Sequence, residues 1–279
     1  MLGEGTLWSE RQQALYFVDI LGRRLHRYTP ASDERRSWTF DEEISAVAER
    51  AAQPGLIVTL RQHFALFDPD TGVLHKLHAP ELERSGNRFN DGKCDARGRF
   101  WGGTMDYACV ESSGALYRYD ADGACSRHQD SVHISNGPTW SPDQRSMYFT
   151  ETGHGEISVF DFDPETGTLG AKRPWLKFGA GDGKPDGMTT DADGRIWIAH
   201  WDGACVTCHA PDASLLARIE LPARNITNCA FGGPELKTLY ISSAIGDLSA
   251  AELEAQPLAG ALFAVELDVA GIRAGYFAG

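Results

Sequence analysis

One phrase recurs six times along this chain: a polar turn followed by a short run of aromatic and aliphatic residues. The residues at its equivalent position are Tyr16, Ile57, Trp101, Tyr148, Trp197 and Tyr240. They lie 41 to 49 positions apart, a period typical of four-stranded propeller blades. A second phrase follows each copy and often ends in Asp-Gly-rich turn sequences. The repeats therefore predict a hairpin in every unit and an all-β, six-bladed β-propeller.

The six units nearly fill the 279 residues, so we expect one propeller domain spanning residues 1–279. A parallel α/β barrel of this length would need amphipathic helices of about 10–15 residues between its strands, and the chain has no such series. The best helical segment is 249–258, with Ser249 as the expected N-cap. Loops at one end of a propeller channel bring distant residues together, so a site should draw residues from several blades.

Composition narrows the range of partners. The 26 Lys and Arg against 39 Asp and Glu give a formal charge of −13, which opposes binding to nucleic acid or an anionic membrane. No signal peptide and no span of about 18 apolar residues is expected. The six scattered cysteines favour reduced thiols. We expect a cytoplasmic protein without nucleic-acid or membrane partners, and the sequence leaves its oligomeric state open.

Oxygen-bearing residues followed directly by glycine interrupt the repeat at three points. Glu4, Asn136 and Asp186 each stand before a glycine and a few residues ahead of an inferred strand. The polar stretch "NRFNDG" at 87–92 precedes its strand in the same way. Carboxylate and amide oxygens suit hard divalent cations, but each pair is also a common turn sequence. Their matching placement leaves both interpretations open, a cation site and a set of turns.

Longer stretches of the chain resemble the SMP-30/gluconolactonase family of regucalcin-like sugar lactonases. They include "LGEGTLW", "NRFNDGKCDARGRFWGGTM", "HISNGPTWSPD" and "PDGMTTDADGRIWIAHW". The resemblance implies a six-bladed propeller that hydrolyses aldonolactones with one divalent cation at the channel mouth, Ca²⁺ first and Mg²⁺, Mn²⁺, Zn²⁺ or Fe²⁺ as alternatives. It also implies that Glu4, Asn136 and Asp186 are the metal ligands, and that Arg88 and Asn90 bind the hydroxyl and ring oxygens of the sugar.

The chain departs from the family pattern in two places. Vertebrate members carry a glutamate just after "GTM", where this chain has Asp106 and Tyr107. We expect Tyr107 to bind the sugar, with Glu111 as an alternative. Members usually have another strand upstream, whereas two residues precede Gly3-Glu4 here. Either the last blade closes differently or this start is truncated, which would leave Glu4 in a frayed terminus.

The implied reaction is metal-dependent hydrolysis of a sugar lactone such as gluconolactone, xylonolactone or arabinonolactone to its aldonic acid. The cation would act as a Lewis acid, and Asp186 would serve as a ligand and as the base that orients or deprotonates water. Asp91 would support the neighbouring sugar-binding residues. Two other functions would use the same residues: a lactone isomerase or an esterase/phosphotriesterase, and a non-catalytic calcium-binding propeller.

Other patterns predict structure rather than chemistry. Cys205 and Cys208 form a single CxxC on an inferred strand, where positions i and i+3 face opposite ways. No G-x-S-x-G motif indicates a serine nucleophile. The tryptophans expected to pack between blades are Trp101, Trp140, Trp197 and Trp201. The histidines expected in loops or at the rim are His154, His200 and His209, with His200 nearest the mouth.

Overall fold

A computed structural model describes all residues from 1 to 279. Its strands form six antiparallel sheets that follow one another along the chain. Five sheets have four strands and the sixth has three. The six residues matched by the sequence repeat all lie in the second strand of their sheet. The prediction of an all-β, six-bladed propeller is confirmed, while the expected fourth strand is absent from the sixth blade.

The strands occupy the same four positions in successive blades. The innermost strands are β1 (Gly3–Ser9), β5 (Ile44–Glu49), β9 (Asn87–Cys94), β13 (Ser135–Trp140), β17 (Lys184–Thr190) and β21 (Asn225–Gly232). The second strands are β2 (Ala14–Asp19), β6 (Leu56–Leu60), β10 (Phe100–Asp106), β14 (Ser146–Glu151), β18 (Ile196–Trp201) and β22 (Thr238–Ala244). The third strands are β3 (Arg24–Thr29), β7 (Phe64–Phe67), β11 (Gly114–Tyr119), β15 (Glu156–Asp163), β19 (Cys205–His209) and β23 (Phe263–Glu266). The outer strands are β4 (Glu34–Thr39), β8 (Leu74–Lys76), β12 (Cys125–Val132), β16 (Thr168–Lys177) and β20 (Leu215–Glu220).

Two short helices complete the structure, a 3₁₀ turn at Thr152–His154 and α1 at Ala250–Ala255. Ser249 caps α1 as predicted, because its hydroxyl accepts from the amide of Glu252. The helix ends earlier than the predicted residue 258, since Pro257 disfavours a helical conformation in the residue before it. No helix in the structure has both the length and the apolar character needed to cross a membrane.

Aromatic residues fill the spaces between neighbouring blades. Trp101 and Trp140 share one buried cluster with Phe149 and Phe160 from the fourth blade. Trp197 belongs to a second buried cluster, between the fifth and sixth blades. The packing prediction therefore holds for these three tryptophans. Trp201 is half-buried and belongs to no core cluster.

The repeated phrases "DARGRFW" and "DADGRIW" build the same hydrogen-bonded turn in two blades. One carboxylate oxygen of Asp95 accepts from the Arg99 backbone at 3.2 Å, and the other accepts from Arg99 Nε at 2.6 Å and Trp101 Nε1 at 2.9 Å. Asp191 likewise accepts from Trp197 Nε1 at 2.9 Å and from the Arg195 backbone at 2.9 Å. Each aspartate thus connects a surface turn to the indole that packs between blades.

Asp95→Ala should lower the free energy of unfolding by about 3–5 kcal/mol, because it removes the carboxylate partner of the buried Arg99 and leaves Arg99 Nε and the indole N–H of Trp101 without an acceptor. Urea denaturation of both proteins would measure the difference. Asp122→Ala is the matched control, since Asp122 lies in an exposed turn and accepts only from the Ala124 backbone, at 3.0 Å. The control should cost about 1 kcal/mol or less. Equal losses in both variants would contradict this assignment.

The two ends of the chain meet different parts of the ring. Leu2 bridges to Ala244, which joins the first blade to the last, and Glu4 is only 4% exposed within β1. The expectation of a frayed terminus at Glu4 is therefore wrong. Residues 270–279 cross the opposite end of the channel, where their backbone bonds to that of the second, third, fifth and sixth blades. The mouth beside Glu4 is the end that this segment leaves uncovered.

Candidate functional site

The inner strands carry register shifts near their first residues, and four of the predicted site residues lie at these shifts: Glu4, Asn90, Asn136 and Asp186. The shifts fall between Glu4 and Leu7 in β1, Phe89 and Gly92 in β9, Asn136 and Thr139 in β13, and Pro185 and Met188 in β17. A bulge of this kind re-aims side chains away from the regular alternation of a strand. Gly5 and Gly137 have φ angles of 57° and 75°, where other residues are strained. The glycine after each oxygen-bearing residue is thus part of the bulge.

A chain of hydrogen bonds connects the third and fourth blades at this mouth. Asn90 Nδ2 donates to Asn136 Oδ1 at 3.0 Å, and Arg88 Nη1 donates to Asn90 Oδ1 at 2.7 Å. Asn136 Nδ2 in turn donates to Thr152 Oγ1 at 2.7 Å. Because both amides are tied at both ends, the oxygen of Asn136 is directed toward Asn90. The structure thus brings Arg88, Asn90 and Asn136 into one chain of hydrogen bonds.

Asn228, in the sixth blade, connects to the first and third blades and was not predicted. Its Nδ2 donates to Glu4 Oε2 at 3.2 Å and to Asp91 Oδ2 at 3.3 Å, while its Oδ1 accepts from Thr6 Oγ1 at 2.8 Å. A Cβ atom on Gly187 would come within 2.4 Å of Asn228 Nδ2, so a side chain after Asp186 would displace it. One neutral amide therefore holds two carboxylates of different blades at fixed positions.

Three buried carboxylates share the mouth and disfavour one another's ionisation. Burial, followed by the charge of Asp91, raises the pKa of Glu4 to about 8. Burial also raises the pKa of Asp91, and burial together with the charge of Glu4 raises the pKa of Asp186 well above its ordinary value. The guanidinium of Arg88 opposes these shifts at Glu4 and Asp186. A positive charge bound here would stabilise all three ionised carboxylates.

The donor set fits a single divalent cation. Asp186 Oδ1 is buried and has no hydrogen-bond partner, which leaves an acceptor oxygen inside the site. No three His, Cys, Asp or Glu side chains converge on one point, so a cation would also need the amide oxygen of Asn136. Glu4, Asn136 and Asp186 together offer the oxygen ligands that Ca²⁺ prefers. Their assignment as metal ligands stays a prediction.

The polar residues at the channel mouth, from Glu4 to Asn228, line what we call the pocket. Tyr107 lies at its rim, beside Arg88. Its ring is 5.9 Å from the guanidinium carbon of Arg88 and 5.0 Å from that of Arg61. The hydroxyl donates to Glu43 Oε1 at 3.3 Å, and the residue is 39% exposed. The structure therefore places Tyr107 where a ligand bound to Arg88 would meet it. Its role in sugar binding remains a prediction.

Asp106 organises the loop that presents Tyr107. Its carboxylate accepts from the backbone amides of Val110 at 2.9 Å and Glu111 at 3.0 Å. The aspartate after "GTM" therefore stabilises its own loop through these hydrogen bonds, rather than binding a ligand. The side chain of Glu111 is exposed and makes no hydrogen bond or ion pair with a pocket residue. Tyr107 is therefore the better candidate of the two.

The histidine and cysteine patterns do not add to the pocket. His200 lies inside the fifth blade, where its ring nitrogens bond to Asp182 O at 2.7 Å and Thr207 Oγ1 at 2.6 Å. Burial lowers the pKa of His200 to about 4, so it is neutral and its hydrogen-bonding capacity is used. The expectation that it approaches the mouth as a pocket residue is not supported. Cys205 and Cys208 are buried and unpaired.

Fold and site together define a class of protein, a six-bladed propeller with a polar site at its channel mouth. Five blades contribute to this site, which contains buried carboxylates, amides and one guanidinium. The protein-family model for the SMP-30/Gluconolactonase/LRE-like region matches residues 2–245 of this chain. The chain belongs to this family, and the resemblance seen in the sequence is confirmed.

Several relatives extend over nearly the whole chain. The 6-deoxy-6-sulfogluconolactonase of Pseudomonas putida is 37% identical over 280 residues, which are 100% of this chain and 96% of that protein. The pentonolactonase XacC of Haloferax volcanii is 34% identical over 280 residues, 97% of this chain and 92% of its own. The solved structure of a calcium-binding protein, regucalcin, from Agrobacterium tumefaciens has a TM-score of 0.95 at 28% identity and covers 99% and 93% of the two chains.

Proposed function

We propose that this protein is a divalent-cation-dependent lactonase that opens a sugar aldonolactone to the aldonic acid. The observation that carries the proposal is the buried, unpartnered Asp186 Oδ1, which shares one mouth with the carboxylates of Glu4 and Asp91. Arg88 and Asn90 lie in the same pocket and suit a hydroxyl-rich ligand. The names of the relatives, a sulfogluconolactonase and a pentonolactonase, support a hydrolase acting on cyclic esters.

The residues divide the work of hydrolysis among them. Water adds to the lactone carbonyl carbon, the ring C–O bond breaks, and the products are an alcohol, a carboxylate and one proton. Asp186 orients the water and accepts its proton, because its buried Oδ1 has no hydrogen-bond partner within the protein. A cation held by Glu4, Asn136 and Asp186, Ca²⁺ first, would supply Lewis acidity. Arg88 and Asn90 position the sugar through its hydroxyl and ring oxygens.

The expected substrates are a class of sugar lactones rather than one particular sugar. Gluconolactone, xylonolactone and arabinonolactone all present the hydroxyls that Arg88 and Asn90 would bind, and the relatives are named for six-carbon and five-carbon lactones. The six free cysteines support a reducing compartment, and we place the activity in the cytoplasm. The partner is therefore a small, diffusible sugar lactone, and no nucleic acid or membrane is involved.

Acid release from gluconolactone, xylonolactone, arabinonolactone and galactonolactone tests the proposal. Release is followed with a pH indicator in mildly acidic buffer, and the spontaneous rate without protein is subtracted. We expect catalysed acid formation from at least one of the four. Ring conversion without acid would replace hydrolysis by isomerisation. Absence of both, with calcium bound, would favour the non-catalytic propeller.

Arg88→Ala should raise KM by about 10–100-fold and change kcat much less, since the side chain binds the sugar through charge-assisted hydrogen bonds that the bound state already contains. Initial rates over a range of lactone concentrations separate the two constants. Arg97→Ala is the control, because Arg97 is exposed and pairs with Glu165. A fall in kcat with unchanged KM would instead assign Arg88 to the reaction step.

A further inference from the structure

Glu43 is a buried carboxylate at the same mouth, and it comes from the second blade. It is the last residue before β5, the inner strand that starts at Ile44. Its side chain is 8% exposed, although it lies in a connection between two strands. The second blade has Ile44 at its bulge, where the first has Glu4, so it offers no ligand there. Glu43 is therefore the polar group that this blade contributes to the mouth.

The protein itself uses little of the hydrogen-bonding capacity of Glu43. An ionised carboxylate has about four acceptor positions. Tyr107 donates to it at 3.3 Å, a long contact, and Arg23 lies 4.0 Å away with half of its side chain exposed. Asp95, buried to a similar degree, accepts four hydrogen bonds. A buried carboxylate with so few donors is costly unless a ligand supplies more.

Glu43 faces the pocket that contains Arg88 rather than a separate one. Burial lowers the pKa of Arg88, and the charge of Glu43 is among the nearby groups that oppose this shift. Tyr107 contacts Glu43 through its hydroxyl and Arg88 through its ring. Arg61 stacks on the same ring and donates to Ser85 O at 3.2 Å, so its guanidinium is already engaged. Glu43, Tyr107 and Arg88 form one wall.

We propose that Glu43 is a specificity-determining residue that accepts hydrogen bonds from hydroxyls of the bound sugar. This inference rests on the proposed lactonase function. A carboxylate in this wall favours a neutral, hydroxylated sugar and repels one that carries phosphate or sulfonate. The preferred substrates are therefore uncharged aldonolactones.

Kinetics of Glu43→Gln with a neutral and an anionic lactone test this inference. Glucono-1,5-lactone is the neutral substrate and 6-phosphogluconolactone the anionic one. For the neutral lactone we expect KM to rise about 10-fold with kcat within about threefold, because a charge-assisted hydrogen bond to the bound sugar is weakened. The preference for the neutral over the anionic lactone should fall by about 10-fold or more. Asp41→Asn, in the same connection but exposed, is the control and should change neither.

The outcomes separate this inference from the function on which it rests. If the wild-type protein hydrolyses lactones and Glu43→Gln keeps both KM and the substrate preference, the assignment of Glu43 is wrong. If wild type hydrolyses no lactone, calorimetric binding of 1,5-anhydroglucitol to wild type and Glu43→Gln still tests it, with weaker binding expected in the variant. Equal binding, or none to either protein, would also overturn it. Calcium-induced thermal stabilisation should be the same in both proteins, which shows that the variant folds and keeps its cation site.

Discussion

Asp186→Ala abolishes turnover in our expectation, with kcat at least about 10³-fold lower than in wild type. The substitution removes the free carboxylate oxygen that we assign as proton acceptor, a role worth about 10²–10⁴-fold on its own. It also removes one of three proposed cation ligands, so the losses act together. Asp186→Asn keeps the size of the side chain and should lose a similar factor, because an amide cannot accept the proton of water. Steady-state acid release from the best lactone of the panel measures both.

In the cation-free protein, we expect substitution of Asp186 to remove activity without lowering folding stability. Asp186 is one of three buried carboxylates that raise one another's pKa, so its neutral replacement should leave the cation-free protein as stable as wild type or more stable. Thermal melts in the presence of a chelator check this point. Asp247→Asn is the control, since Asp247 is exposed and makes no side-chain hydrogen bond. Residual kcat within tenfold of wild type in Asp186→Ala would remove the proposed base.

The blades could be predicted because their signals are local. Each second strand carries its aromatic or aliphatic residue at a fixed distance from a turn, and turn residues such as Asp95 and Asp191 act within a few positions of themselves. The three-stranded sixth blade could not be predicted in this way. The number of strands in a sheet depends on pairing between distant segments, for which this chain carries no local signal.

The same distinction explains which site residues the sequence revealed. Glu4 and Asn136 stand directly before glycines that the bulges require, so a glycine in the sequence marks each of these two positions. Asn228 is followed by Cys229 and Glu43 by Ile44, and neither pair resembles a bulge or a turn. Asn228 lies at a register shift of its inner strand and Glu43 directly precedes one, but no glycine marks these two shifts in the sequence.

The charge distribution of the mouth sets the expectation for removing the cation. Glu4, Asp91 and Asp186 carry three negative charges when ionised, while Arg88 is buried among them and Lys93 acts on Asp91. Glu43, at the same mouth, adds a fourth negative charge, which leaves two net negative charges that a dication balances. A bound cation would stabilise the negative charge that develops on a lactone carbonyl, whereas the cation-free site repels it. We therefore expect the proposed cation to contribute both to folding stability and to the reaction.

Treatment with a chelator should reduce lactone hydrolysis to the spontaneous rate, and added Ca²⁺ should restore it. Calcium at about 100 times its Kd stabilises the fold by about 2.7 kcal/mol, which corresponds to a rise of roughly 5–10 °C in melting temperature. Melts with and without Ca²⁺ measure this shift independently of activity. In Asp186→Asn the shift should shrink to about 2 °C or less, since a ligand and a negative charge are lost together. An unchanged shift in that variant would place the cation elsewhere, because Asp186 Oδ1 is the buried, unpartnered oxygen that we assign to it. Full activity in excess chelator would contradict a cation-dependent reaction.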